Sequence, residues 1–349
     1  MGELNINEVK FIRNIVKESK RTAKMESCPI CGKIQTSFCN SHSIPQFVLQ
    51  NIACNGMLLQ LYTFSSNIWM PVSELEGGER GIKNSGTFQF ICRDCDSKYF
   101  SDYENAIRLS ERPTNKMMAE IEVKNFLMML YKRNYETVLC KKVHEMWNGA
   151  NISYTQAAQK HDIVNYSTML NRAKRIIEGK SSEGYKIIFW KKIPHKVPFA
   201  CQASIVPYRS ISGAIVNDVY NIEKSNLIKD LHLYIFPLRD YTVVGLFCIE
   251  TAQKRYSTFK REFEKLNATE KERYLCYLAF EYTENIFMSP AVNSSVLKNE
   301  TLKKLAYETN GIPAIGVHTP EIDFYNSMIY KKVDWEKVPN LLDKKFAIQ

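Results

Sequence analysis

Four cysteines fall in two close pairs, Cys28-Pro29-Ile30-Cys31 and Cys92-Arg93-Asp94-Cys95, and a histidine, His42, lies between the pairs. A Cys-x-x-Cys turn points both sulfurs at one ion, so two such knuckles can close a tetrahedral thiolate site around Zn²⁺. Four protein ligands leave no open position, which makes the expected zinc structural and worth on the order of 10 kcal/mol of folding free energy. The rival readings are two reduced hairpins without metal, or a redox pair. Neither knuckle opens a clear βαβ unit, which disfavours redox chemistry. Cys39 is close enough to the first knuckle to stand as a further candidate ligand. Cys54, Cys140, Cys201, Cys248 and Cys276 are scattered, mostly among apolar neighbours, and read as reduced core residues.

A lone histidine is most often a surface or satisfied core residue. His42 sits in Ser41-His42-Ser43-Ile44-Pro45, between the knuckles, and the second knuckle runs directly into Asp96. This order resembles the HNH nuclease family, the ββα-metal fold, in its zinc-supported form. The resemblance covers roughly residues 25–110 and rests on short motifs in a shared order. It implies metal-assisted cleavage of a phosphodiester. His42 would be the general base, since an imidazole of ordinary pKa near 6.5 is largely neutral at pH 7. Asp96 would hold a catalytic Mg²⁺ or Mn²⁺, for which a carboxylate is a suitable hard oxygen ligand. One position departs from the family pattern. The acidic residue expected before the histidine is Ser41 here, and a hydroxyl is a weak ligand for such a cation. Asp94, Asp102 and Glu104 are the carboxylates close enough in sequence to compensate.

Charge points toward the same class of partner. The chain carries 47 Lys and Arg against 37 Asp and Glu, a net charge of +10. Residues 116–200 hold 15 basic and 7 acidic side chains, a net of +8, whereas the flanking segments are each within one charge of neutral. A positive block beside a metal module favours a polyanion, and a solvated helical face is the bland alternative. Lys124, Lys132, Arg133, Lys141 and Lys142 are the expected phosphate contacts.

The elements that must position these residues are legible in outline. Residues 5–23 have amphipathic helical spacing. A knuckle hairpin, a short helix over 45–53, a strand over 58–71, a glycine-rich loop over 77–86 and a strand over 87–91 follow. A helix from Asp96 through Ala106 would put Asp96, Tyr99 and Tyr103 on one face. Further helices are expected at 116–134, 136–147 and 155–178. Beyond the turn-rich break at 179–184, strands are expected at 185–193, 200–208 and 231–250, the last as a hairpin about Leu238-Arg239-Asp240. Helices then fall at 256–266, 269–286 and 296–309. The loop Gly77-Gly78-Glu79-Arg80-Gly81 lacks the Gly-Lys-Ser/Thr ending of a phosphate-binding P-loop, and Gly179-Lys180-Ser181 lacks its upstream glycine.

The fold class expected is α+β, divided as an N-terminal helix (1–24), a zinc-stapled ββα-metal module (25–112), a basic helical segment (113–180) and an α+β C-terminal domain (181–349). No apolar run approaches the roughly 18 residues of a membrane span, and the first 24 residues lack the apolar block of a signal peptide, so a cytoplasmic protein with no membrane partner is expected. The leading function is a metal-dependent endonuclease on double-stranded DNA. Fusion of a small nuclease module to a larger domain fits a bacterial restriction or phage-defence effector, with the C-terminal domain binding a protein partner or a second copy. The alternative is a non-catalytic zinc protein that binds nucleic acid or another protein.

Overall fold

A computed structural model of the chain describes residues 6–60, 62–67, 70–74, 79–146, 153–219, 223, 227–308 and 334–349. It is an α+β protein. The N-terminal part runs α1 (Ile6–Thr22), β1 (Ser41–His42), α2 (Gln46–Ile52), β2 (Met57–Gln60), β3 (Tyr62–Asn67), β4 (Met70–Glu74), β5 (Glu79–Gly81), β6 (Thr87–Phe88), α3 (Arg93–Tyr99) and α4 (Ala106–Leu109). Two long helices follow, α5 (Asn115–Met146) and α6 (Ser153–Ile177). The rest is β7 (Tyr185–Ile193), β8 (Phe199–Ile205), β9 (Leu231–Pro237), β10 (Thr242–Ile249), α7 (Ser257–Lys265), α8 (Ala268–Tyr282), β11 (Ile286–Met288), α9 (Ser294–Leu297) and α10 (Glu300–Glu308).

A seven-stranded antiparallel sheet organises the molecule, in the order β5-β2-β11-β8-β9-β10-β7. Strands β8, β9 and β10 are almost entirely buried on both faces. That explains their continuous runs of branched and aromatic residues, since a strand covered on both sides cannot alternate apolar with polar. One face carries Gln202, His232, Tyr234 and Phe236 and lies under α5, where Phe126 meets the His232 ring edge-on at 5.8 Å. The other face packs α8, with the Phe199 and Phe280 rings 5.7 Å apart. Tyr234 stacks on Phe236 and leaves no room beside Gly245, where an added Cβ would come within 2.2 Å of the Tyr234 ring.

The strand order and two of the expected helices depart from the sequence reading. The sheet crosses the expected division near residue 180, since β2 and β5 from the first hundred residues hydrogen-bond beside β11. The reason is geometric: β11 offers an edge, and an unpaired edge is satisfied by whichever strand the chain can bring to it. The two helices expected at 116–134 and 136–147 are one continuous helix, since nothing between them breaks the backbone ladder. In the other direction, the single helix expected from Asp96 to Ala106 is two short ones, α3 and α4, with Asn105 capping the second through bonds from the backbone N–H of Ile107 and Arg108. The glycine-rich loop lies partly outside the described residues. No helix among the described residues is long and apolar enough to cross a membrane.

The β1–β6 hairpin is pressed against this sheet at Gly86. Its φ is +63°, and a Cβ there would lie 2.5 Å from the Phe287 ring and 2.7 Å from Ser43 Oγ. Left-handed backbone and close approach both select glycine. Gly86→Ala should cost about 2–4 kcal/mol from the two effects together. A denaturant midpoint unchanged from wild type would show that the hairpin is not docked as described.

Candidate metal centre and the adjoining Ser41–Asp96–Lys124 site

The knuckles form as local turns before they meet. In the first, the Gly32 N–H donates to the Cys28 carbonyl at 2.8 Å and the Cys28 N–H to the Lys33 carbonyl at 3.0 Å, with Gly32 at φ +71°. The second opens α3, so Cys92 is the residue before the helix and Cys95 lies in its first turn. The sulfurs of Cys28, Cys31, Cys92 and Cys95 all lie within 4.8 Å of one another, and Cys31 and Cys92 are 3.9 Å apart. A tetrahedron with metal–sulfur bonds of about 2.3 Å has edges of roughly 3.8 Å, so the cluster fits one metal ion. None of these cysteines is in a disulfide. A backbone hydrogen bond from Lys33 leads the effects holding the exposed Cys31 thiol down at about 7, while burial pushes Cys92 and Cys95 upward. Cys39 is not part of the cluster. It donates to the Ile91 carbonyl at 3.0 Å, and burial first, then the Asp96 charge, push its thiol up to about 12. The end of α6 braces the module, with Lys174 donating to the Ile30 carbonyl and Tyr99 donating to Glu178.

Beside the metal centre, β1 and β6 form the short hairpin, with Ser41 opposite Phe88 and His42 opposite Thr87. Successive residues of a strand face opposite ways. Ser41 is therefore turned inward and donates to Asp96 Oδ1 at 2.7 Å, while His42 turns the other way and Nε2 meets the Ile82 carbonyl at 3.1 Å. A carbonyl only accepts, so Nε2 carries the hydrogen and Nδ1 is the basic nitrogen. The expectation that His42 and Asp96 face one cleft is corrected: Ser41 touches Asp96, and His42 lies on the opposite side of the strand.

The cation beside Asp96 comes from the chain itself. Lys124 of α5 is 1% exposed, and its ammonium donates to Ser41 Oγ at 2.9 Å, Asp96 Oδ1 at 3.1 Å and Glu104 Oε1 at 3.2 Å. The Phe100 ring lies beneath it, 3.6 Å from Nζ to centroid, a cation–π contact in a desolvated place. Of the residues expected to supplement Asp96, Ser41 and Glu104 converge and Asp102 does not. Asp102 is bonded to Arg108 and to Lys116, the latter at 3.1 Å, and Asp94 is exposed on the helix. The break between α3 and α4 decides this, because the turn at Phe100 to Glu104 brings Glu104 back toward the hairpin.

The expected phosphate contacts are also redistributed. Lys124 is internal. Lys132 pairs with Glu284 at 2.8 Å, Arg133 with Glu136 at 2.9 Å and Asp162 at 2.8 Å, and Lys142 with Glu18 at 3.0 Å. Lys141 is exposed. Glu18, Asp162 and Glu284 are distant in sequence, so a segmental charge count could not reveal the pairing. Lys124 did leave a signal: it stands three residues after Ile121 and seven after Met117, inside the apolar stripe of the helix.

A buried polar chain, which sequence reasoning missed, continues from this site. Ser43 donates to Asn285, Asn285 to the Gln202 carbonyl, and Gln202 to Asn125, which in turn donates to Nδ1 of His232 at 3.2 Å. His232 is kept neutral, its pKa pushed down to about 3 by burial and then by the Arg172 charge. Glu122 completes the line, bonded to Arg172 and 3.6 Å from His232 Nε2.

Comparison with family models, with curated proteins and with solved structures finds no match for this chain. The site is therefore defined by its own geometry.

Cys95→Ser should empty the four-sulfur centre. Metal content per chain should fall to near zero, and the segment from Cys28 to Tyr99 should lose its protection from proteolysis. Full metal retention by the variant would show that Cys95 is not a ligand.

Proposed function

We propose that residues 25–112 are a zinc-stapled phosphodiesterase module and that the chain is a metal-dependent endonuclease acting on DNA. One observation carries the reading: a short antiparallel strand pair and a knuckle-opened helix bring Ser41, Asp96 and Glu104 together at Lys124, one residue along the strand from a histidine held by the Ile82 carbonyl. Zn²⁺ is the ion we assign to the four thiolates, because soft sulfur ligands in a closed tetrahedron suit it best.

His42 is the base in this mechanism. In the neutral ring the Ile82 carbonyl places the hydrogen on Nε2, so Nδ1 would be the nitrogen that takes a proton from an attacking water. Asp96 and Glu104 supply hard oxygens that would hold Mg²⁺ or Mn²⁺, and Ser41 orients Asp96 by donating to it. The cation, when bound, would stabilise charge on the leaving oxygen. Lys141, Lys83, Arg93 and Lys98 are exposed and are the cations of this region available to phosphates. Joining such a module to a larger α+β part suits a bacterial restriction or phage-defence effector.

A second reading has its own observation. Lys124 already neutralises the carboxylates, which favours a non-catalytic module whose zinc and buried ion cluster only hold a binding surface in shape.

Plasmid nicking with Mg²⁺ or Mn²⁺ separates the two. Wild type should cleave, and His42→Ala should cleave roughly 10²–10⁴-fold more slowly with its zinc intact. No cleavage by wild type with either ion would remove the nuclease reading. Elemental analysis should give about one zinc per chain, and iron in its place would overturn the metal assignment.

A further inference from the structure

We propose that α1 is the DNA-docking surface of the molecule. Its solvent side, with Lys10, Lys17 and Arg21 and with Lys24 in the turn beyond, seats the phosphate backbone, and Lys20 and Arg80 carry that surface on toward His42. The choice of DNA rests on the nuclease reading of the module, whereas α1 lies outside the module and is tested without cleavage.

The helix is two-sided. At 3.6 residues per turn, Lys10, Lys17 and Arg21 fall within an arc of about 40°. All three are exposed, and so is Lys24. About half a turn round the helix, Ile15 and Ser19 are buried. On the flank, Glu18 bonds to Lys142 of α5 at 3.0 Å. Thus α1 lays its apolar side on α5 and turns its basic side to solvent. Among the described residues, no ion pair includes Lys10, Lys17, Arg21 or Lys24. Residues 6–24 hold six basic and two acidic side chains, a net of +4, which acids elsewhere in the first 115 residues mask in a segmental count.

Positive charge continues past the helix. Lys20 lies over the Tyr135 ring of α5, 5.0 Å from its centroid. Burial first, then the charges of Arg80 on β5 and Lys132 on α5, hold the Lys20 ammonium below the ordinary lysine pKa. Lys132 is answered by Glu284 at 2.8 Å, but no carboxylate among the described residues bonds Lys20. Cations from three elements distant in sequence are gathered here, an arrangement that mutual repulsion opposes and a bound polyanion relieves. Strand β5 then runs into the turn Ile82–Asn84, where the Ile82 carbonyl holds His42 and Lys83 is exposed. The basic surface leads from α1 to the histidine.

What is already buried selects the partner. A basic amphipathic helix binds a membrane by sinking its apolar side into lipid, and that side of α1 is covered by α5. Only the row of cations remains. From Lys10 to Lys24 it extends about 20 Å, a length over which duplex DNA displays roughly a dozen phosphate charges.

The anisotropy of a short labelled DNA duplex tests the surface, with the full, zinc-loaded chain and no added divalent ion. Lys17→Gln, Arg21→Gln and Lys24→Gln together should weaken binding roughly 100-fold at about 0.1 M salt. They should also flatten the slope of log affinity against log salt by about 2–3, at about 0.9 per phosphate contact. Gln has nearly the helix propensity of Lys and Arg, so α1 stays formed. Removing the same charge from α7, as Lys260→Gln, Arg261→Gln and Lys265→Gln, should leave affinity within about twofold of wild type, because those residues make no phosphate contact. The proposal is overturned if the α1 variant binds like wild type, or if both triple variants weaken binding equally. It is also overturned if wild type binds no DNA, whether or not it binds vesicles of phosphatidylserine and phosphatidylcholine. An α1 variant that binds like wild type, beside a wild type that nicks plasmid with Mg²⁺, leaves the nuclease reading standing. Binding lost in the α1 variant, beside a wild type that nicks nothing, keeps the docking surface and removes the nuclease reading.

Discussion

A buried ammonium holds three separate stretches of this chain to one point. Lys124 reaches from α5 to the hairpin at Ser41, to the knuckle helix at Asp96 and to the turn at Glu104. Burying a lysine is costly unless every donor is satisfied and a counter-charge is near, and both conditions are met here. The same demand constrains the surroundings. The hairpin must present Ser41 inward, α3 must begin at Arg93 so that Asp96 falls in its first turn, and the helix must stop at Tyr99 so that Glu104 can turn back. Removing one partner from such a group typically costs about 3–5 kcal/mol, because a charge is then left buried and unpaired. The metal centre and the hairpin are thus parts of one assembly with α5.

The polar chain from Ser43 to Arg172 extends that logic into the core. It crosses the interface between module and sheet by way of Asn285, Gln202, Asn125, His232 and Glu122. Each member finds a partner only in one register of α5 against β8 and β9. Apolar packing alone tolerates sliding, whereas a buried amide that loses its partner is penalised by the full cost of desolvation. We read this line as what fixes α5 on the sheet; within it, burial and then the Arg172 charge keep His232 neutral.

The charge distribution has a similar origin. Several cations of the segment of net +8 are paired, Lys142 with Glu18 of α1, Arg133 with Asp162 of α6 and Lys132 with Glu284 of the turn before β11, while Lys141 and Lys160 are exposed. What remains exposed near the hairpin is a looser set, Lys83, Arg93 and Lys98.

The sequence alone determined what depends on neighbours along the chain. The paired cysteines predicted a four-sulfur cluster because each knuckle is a local turn, and Cys28, Cys31, Cys92 and Cys95 do converge. The run from Tyr185 to Ile193 is a strand over those same residues, and the branched pair of runs about Arg239 is a hairpin, because period and turn chemistry are also local. Long-range pairing was beyond it. That β2 joins β11, that Lys124 turns inward, that Ser41 and not His42 meets Asp96, and that Glu104 is chosen over Asp102 all follow from which surfaces come together in space. Sequence reading takes Lys124 for a phosphate contact; only the β1–β6 pair, the knuckle helix and the turn, assembled around it, supply the three oxygens that make its burial tolerable. A charged side chain is placed by its partners, and partners distant in sequence become visible only once the chain has folded.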